Sequence, residues 1–166
     1  DKTTNDSNIF GPNSTLEILI NQFKISLSRF VKKKLVKTKN KETFSFNFFD
    51  TNILKKINNY DSDIVHLHWI GNEMISISQL KKINKPVIWS FWDMWPVCGA
   101  EHHSYDERYI DGYNKLNKPS NEGGIDLNRY IWKYKKNNFN FNYTVTTPSK
   151  WFYNLVKKSS LHKNKE

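Results

Sequence analysis

The run Pro86-Val87-Ile88-Trp89-Ser90-Phe91-Trp92-Asp93-Met94-Trp95-Pro96-Val97-Cys98-Gly99-Ala100-Glu101-His102-His103 decides how the chain is read. Val87 to Phe91 is β-branched or aromatic and follows a proline, the pattern of a short buried strand. Beyond Phe91 the run turns polar while staying aromatic, and Pro96 and Gly99 exclude a long regular element. Titratable groups and large rings therefore gather where a buried strand ends. In open α/β sheets that is where ligands bind.

Working outward, Ile64 to Trp69 reads as the preceding strand. A helix from Ser76 to Ile83 follows it, with the Ser76/Gln79 spacing of a capping box. On the other side, residues 92–125 show little periodicity, and loops of that length are usually functional or mobile. Asp126 can cap a helix to about Asn137 that carries Leu127, Tyr130, Ile131 and Tyr134 on one side. Tyr143 to Thr147 reads as a third strand. Ser149 can then cap a last helix with Trp151, Phe152, Leu155 and Val156. Near the start, Ser14 and Glu17 form another capping-box pattern. Leu16, Leu19, Ile20, Phe23, Leu27, Phe30 and Val31 predict a helix from Thr15 to about Lys37. Asp50 is the expected cap of a helix carrying Ile53, Leu54 and Ile57, broken by Asp61 to Asp63. Between these, Phe44, Phe46, Phe48 and Phe49 form a short strand or, by preference, an aromatic plug beneath the first helix. Alternating strands and helices imply a parallel sheet with right-handed crossovers and flanking helices.

Composition sets bounds on this reading. A chain of 166 residues holds about one domain, here with a formal charge of +10 and 15% aromatic residues. A single cysteine, Cys98, rules out an internal disulfide and fits a reducing compartment. Cys98 is expected to be an inert small residue. No apolar run approaches the roughly 20 residues of a membrane span. Polar residues Asp1 to Asn8 give no signal peptide, so the expected location is the cytoplasm. Residues 1–13 read as an irregular lead-in. Asn13-Ser14-Thr15 and Asn142-Tyr143-Thr144 match a glycosylation pattern that carries no weight without secretion. The basic run Lys32, Lys33, Lys34, Lys37, Lys39 and Lys41 suits a helix C-terminus. Its functional alternative is a patch for anionic membrane or a phosphorylated acceptor.

Asp63-Ile64-Val65-His66-Leu67-His68-Trp69 resembles a strand signature of family 4 glycosyltransferases. Lys85 to Ser90, Trp92 to Pro96, Gly99 to His102, Arg108-Tyr109, Gly112-Tyr113, Asp126 to Arg129 and Thr147 to Trp151 follow in the order found in that family's polysaccharide-synthesis members. The resemblance covers roughly residues 44–162. It implies a partial N-terminal, acceptor-side, Rossmann-like domain of the two-domain GT-B type. The family's opening strand, its Gly-rich loop and its donor-binding domain are not in the chain. The implied activity is retaining transfer of a sugar from a nucleotide-sugar donor to an acceptor hydroxyl, in bacterial surface polysaccharide synthesis. The fragment alone is expected to be inactive. Implied partners are the donor, held by the other domain, and a saccharide or lipid-linked saccharide acceptor. Peripheral contact with the inner face of the plasma membrane is also expected. No cofactor, metal or nucleic acid is expected. The family usually carries His where Trp92 stands and Tyr where His103 stands.

The expected catalytic residues are Asp93, Glu101 and His102. Asp93 can orient an acceptor hydroxyl, and Glu101 can pair with His102, fixing its tautomer. Trp69, Trp92, His68 and His103 are expected to bind the acceptor, the indoles by stacking on the C–H face of a sugar. His66 and His68 share one strand face, and Trp95 is expected to be plain core. The competing enzyme class is a metal-dependent hydrolase using His66, His68, Asp93 and His102, with Glu101 and His103 nearby. No HExxH or paired-Cys pattern supports it. A nucleic-acid binder ranks lower, because the aromatics fall in strand and helix patterns.

Overall fold

A computed structural model describes residues 6, 8–12 and 14–163. Of the irregular lead-in expected at 1–13, residues 1–5, 7 and 13, the last also the sequon asparagine, lie outside the described residues. Helix α1 (Thr15–Leu35) runs into a two-residue strand, β1 (Val36–Lys37). Then come α2 (Ile53–Asn59), β2 (Val65–Leu67), α3 (Ile77–Leu80) and β3 (Val87–Ser90). The chain continues through α4 (Arg108–Asp111), β4 (Gly123–Gly124), α5 (Leu127–Asn138), β5 (Thr144–Thr146) and α6 (Lys150–Lys158). Strands β2, β3 and β5 form a parallel sheet in the order β2-β3-β5, with Val65 opposite Val87 and Ile88 opposite Thr144. The architecture is α/β, a parallel sheet with flanking helices, compatible with a Rossmann-like arrangement.

Period-two alternation decides which sheet face is core. Val65, Leu67, Val87 and Trp89 are buried, while His66 is exposed and Ser90 half-buried. Trp89 meets Phe91 and Phe139 edge-on, at centroid separations of 5.0 and 5.4 Å. The helix signals act largely as the side-chain chemistry dictates. Ser14, Asp126 and Ser149 accept the N–H of the third helical residue at the starts of α1, α5 and α6. Ser76 and Gln79 complete a reciprocal capping box at α3. That helix is shorter than expected, because Lys82 and Ile83 donate to Gln79 and Leu80 three residues back. The last turn is thus tightened beyond α geometry.

Two expectations are corrected. Asp50 does not cap α2: Asn52 stands there without a side-chain bond, and Asp50 Oδ1 instead accepts from Ser76 Oγ at 2.5 Å. The aromatic plug is reduced: Phe46 is buried and Phe44, under the Lys32 ammonium, packs half-buried against the core, but Phe48 is exposed. Ser45 and Asn47, the polar residues between those rings, are both buried. The stretch after β3 is irregular but tied down. It pairs with Phe44 through a bridge at Glu101, and β4 pairs antiparallel with β1. Buried Arg108 meets the carboxylates of Asp106 and Asp126 at 2.8 and 3.3 Å.

Helices α1 and α2 lie at the surface of the fold. None of the residues of either helix is buried. Among the described residues, no helix is long and apolar enough to cross a membrane.

Candidate functional site

Two parallel strands deliver the site. Trp69 stands two residues beyond β2 and Asp93 three residues beyond β3, so both leave the same edge of the sheet. The Trp69 indole N–H donates to Asp93 Oδ2 at 2.9 Å. His102 Nδ1 lies 2.6 Å from the same oxygen, and the Trp95 backbone N–H holds Oδ1 at 2.9 Å. His102 Nε2 lies 2.7 Å from Ser45 Oγ, which also accepts the Asn72 backbone N–H at 2.9 Å. One proton arrangement satisfies every atom. Nδ1–H donates to Asp93, the Ser45 hydroxyl donates to Nε2, and Ser45 accepts from Asn72.

This network divides the labour. Both ring nitrogens of His102 are engaged inside the protein, and the residue is 8% exposed. It therefore orients Asp93 rather than meeting a ligand, as a carboxylate–imidazole pair does when the imidazole sits behind. The Trp95 ring is buried and lies nearly parallel to His102, 20° or so off plane in a contact of 6.2 Å (22° interplanar). Asp93 retains partial exposure, 23% of its side chain. Trp69 and Trp92 are exposed at 40% and 58%. Trp92 donates its indole N–H to His68 Nδ1 at 3.1 Å and lies near-parallel to that ring. His68, Trp69, Trp92, Asp93 and His102 thus line one depression, of about 10 Å³. That is too small to enclose a sugar ring, so a ligand must lie across it against the indoles. Trp69 also walls a groove of about 730 Å³ that runs beside α1 and α2.

Two expected members are elsewhere. Glu101 does not pair with His102. The segment is extended where it bridges Phe44, so successive side chains point to opposite sides. Glu101 is buried and accepts from Asn40 and Asn128 at 3.1 Å each. Burial pushes its carboxyl pKa up. His103 turns away with it, its ring edge-on to Tyr105 and its carbonyl accepting from Asn40. His102 alone of the three faces Asp93.

Sequence reasoning missed Ser45, Glu73 and Lys135. Ser45 closes the back of His102. Glu73 is buried and accepts the backbone N–H groups of Asn47 and Phe48 at 2.9 and 2.8 Å, fixing the segment that carries Ser45. The polar residues alternating with Phe44, Phe46 and Phe48 were the available signal. Lys135 is fully buried in α5, with its ammonium against the carbonyls of Trp95, Cys98 and Gly99 and 3.8 Å from the Trp95 ring. Burial lowers its pKa well below the usual lysine range. Two glycines permit the close packing. A Cβ on Gly71 would stand 2.8 Å from Ser45 Oγ and 2.9 Å from the His102 ring, and one on Gly99 2.5 Å from Asn128 Cα.

The arrangement limits the chemistry. Ser45, His102 and Asp93 have the order of a nucleophile–base–acid relay, but Ser45 is 1% exposed and its oxygen is already capped by Asn72. No substrate carbonyl can reach it. The metal-hydrolase cluster is not assembled. His66 bonds Ser90, His68 bonds Trp92 and His102 bonds Asp93, and the described residues hold no group of three or more His, Cys, Asp or Glu placed to bind a metal. Cys98 is fully buried, and burial raises its thiol pKa, which keeps it unreactive. What remains is a rigidly oriented carboxylate between two exposed indoles. No family model, curated protein or solved structure matches the chain.

Proposed function

We propose that the chain is the acceptor-side domain of a retaining glycosyltransferase of the family 4 type, acting on a saccharide or lipid-linked saccharide. The observation that carries this reading is the Asp93 carboxylate, fixed by Trp69, His102 and the Trp95 amide and flanked by the exposed rings of Trp69 and Trp92. Indole faces stack on the C–H side of sugars, and a fixed carboxylate accepts from their hydroxyls. The transfer breaks the bond between the donor's anomeric carbon and its diphosphate and forms one to the acceptor oxygen, with loss of the hydroxyl proton. Asp93 orients that hydroxyl, and His102 with Ser45 holds Asp93 in place. The donor and the charge of the departing diphosphate belong to a second, donor-binding domain.

The test uses the enzyme that carries this domain together with a donor-binding one, assayed against a panel of nucleotide sugars. Asp93→Asn should lower transfer by roughly a hundredfold, within the range of a lost orienting group, with thermal unfolding unchanged. Trp92→Ala should weaken acceptor binding and spare the donor. Full activity in the Asp93→Asn enzyme, or nucleotide-sugar turnover by residues 1–166 alone, overturns the reading.

A further inference from the structure

The outward face of α1 is apolar where a surface helix is ordinarily polar. At about 100° per residue, Leu16, Leu19, Ile20, Phe23, Leu27 and Phe30 fall within roughly 100° of arc. Five of them are heavily exposed: Leu16 66%, Leu19 57%, Ile20 44%, Phe23 67% and Phe30 57%. The inward face carries the polar contacts, beside the partly buried Ile25 and Val31. Glu17 meets Lys56 at 3.7 Å, Lys24 donates to the Asp50 carbonyl, Ser28 donates to Glu73, and Lys32 donates to the Glu42 carbonyl. The helix is thus held to the body by polar tethers and by Val31, which packs against the core, with its stripe of rings and leucines outward.

Charge selects what covers the stripe. The only acidic residue of α1 is Glu17, and it is turned inward. Exposed Lys33 stands beside the stripe with Arg29 further round on the same side, Lys34 continues it beyond Phe30, and Lys37 and Lys39 follow. The Lys34 ammonium lies 5.9 Å from the Phe30 ring, an aliphatic stem along apolar surface with its charge at the edge. The whole chain adds a formal charge of +10. We infer that α1 lies in the plane of an anionic lipid surface, with Leu16, Leu19, Ile20, Phe23 and Phe30 in the acyl boundary and Arg29, Lys33 and Lys34 among the headgroups. A helix of this composition binds by apolar burial together with attraction to anionic lipid. The inference uses none of the residues of the proposed acceptor site and stands apart from the glycosyltransferase reading.

Flotation of the protein with vesicles tests it, using phosphatidylcholine alone and phosphatidylcholine mixed with phosphatidylglycerol. Binding should require phosphatidylglycerol and fall with added salt. Each of Arg29→Gln, Lys33→Gln and Lys34→Gln should weaken it about fivefold. Phe23→Ser and Phe30→Ser should each weaken it by roughly tenfold or more, with unchanged circular dichroism and unfolding midpoint. Absence of binding to the anionic vesicles overturns the inference, as does binding insensitive to Phe23→Ser and Phe30→Ser. Sedimentation velocity supplies the remaining outcome. A dimer dispersed by Phe23→Ser would assign the stripe to a second copy and overturn the lipid assignment. Saccharide transfer is read in a separate assay, so failure of either proposal leaves the other intact.

Discussion

The longest regular element of the molecule and its least regular stretch have exchanged their usual roles. Helix α1 has 21 residues, good capping and no buried residue. Residues 93–102 have no helix or ladder strand, yet Trp95, Val97, Cys98, Ala100, Glu101 and His102 are all buried. Local hydrogen bonding makes the helix, and long-range side-chain bonds make the loop. Lys135 and Asn128 from α5, Ser45 and Trp69 reach into the loop from three separate places in the chain. Integration into the fold therefore follows tertiary partners rather than regularity, and the site sits where those partners converge.

The largest expected effect is in the loop. Trp95→Ala removes a ring that packs on Trp89 and His102 and lies beneath the Lys135 ammonium. A cost of about 4 kcal/mol is expected from an aromatic cavity of this kind. Urea unfolding measures it. A loss below about 1 kcal/mol would mean the loop collapses onto the gap and is not the packed unit described.

Glu73→Gln comes next, at about 2 kcal/mol. It replaces a buried carboxylate that accepts from Asn47, Phe48 and Ser28 with a group having one acceptor oxygen. The fluorescence of Trp69, which neighbours Ser45 through His102, should shift as the 45–48 segment loosens. An unchanged spectrum and midpoint would show that the segment is held by Phe46 alone.

Glu101→Gln has a smaller effect with a definite sign. Burial raises the Glu101 pKa above its unfolded value. Its favourable contribution is therefore complete below the unfolded pKa and is lost as pH rises through the folded one. Glutamine can still accept from Asn40 and Asn128 and carries no charge to bury. The stability of the variant relative to the parent should rise with pH from the acid range upward and then level off. Unfolding midpoints compared across pH check this, and a difference flat with pH would show that Glu101 is not the buried charge.

How much of this was legible in the sequence depended on the range of the interaction. The three parallel strands and the caps at Ser14, Ser76, Asp126 and Ser149 were readable, because alternation and capping act over two to four residues. So was the meeting of Trp69, Trp92 and Asp93, which follows from leaving adjacent parallel strands at one edge. The Glu101–His102 pair was misread because neighbours in an extended segment point apart, and the bridge to Phe44 that makes the segment extended lies far off in sequence. The alternation around Phe44 and Phe46 marks Ser45 as distinct but not its partner, which lies 57 residues away, and Lys135 was not legible, since its partner lies 36 residues away. The apolar period of α1 was real, but periodicity gives a face without saying which way it turns.

That last point yields the smallest effect and the sharpest form of the comparison. Phe23 and Ser28 stand on opposite sides of α1. By size, the phenylalanine should matter more to the fold. By position, it should not: Phe23 is 67% exposed, whereas the Ser28 hydroxyl donates to buried Glu73 at 2.9 Å. Phe23→Ser changes a solvent-facing ring and should stay within about 0.5 kcal/mol of the parent in chemical denaturation. Ser28→Ala deletes one oxygen but releases a charge-assisted bond on a buried carboxylate, at a cost of about 1 kcal/mol. The smaller truncation should thus destabilise more. If Phe23→Ser proves the costlier of the two, the apolar stripe packs on the chain itself in solution, and α1 belongs to the core rather than to its surface.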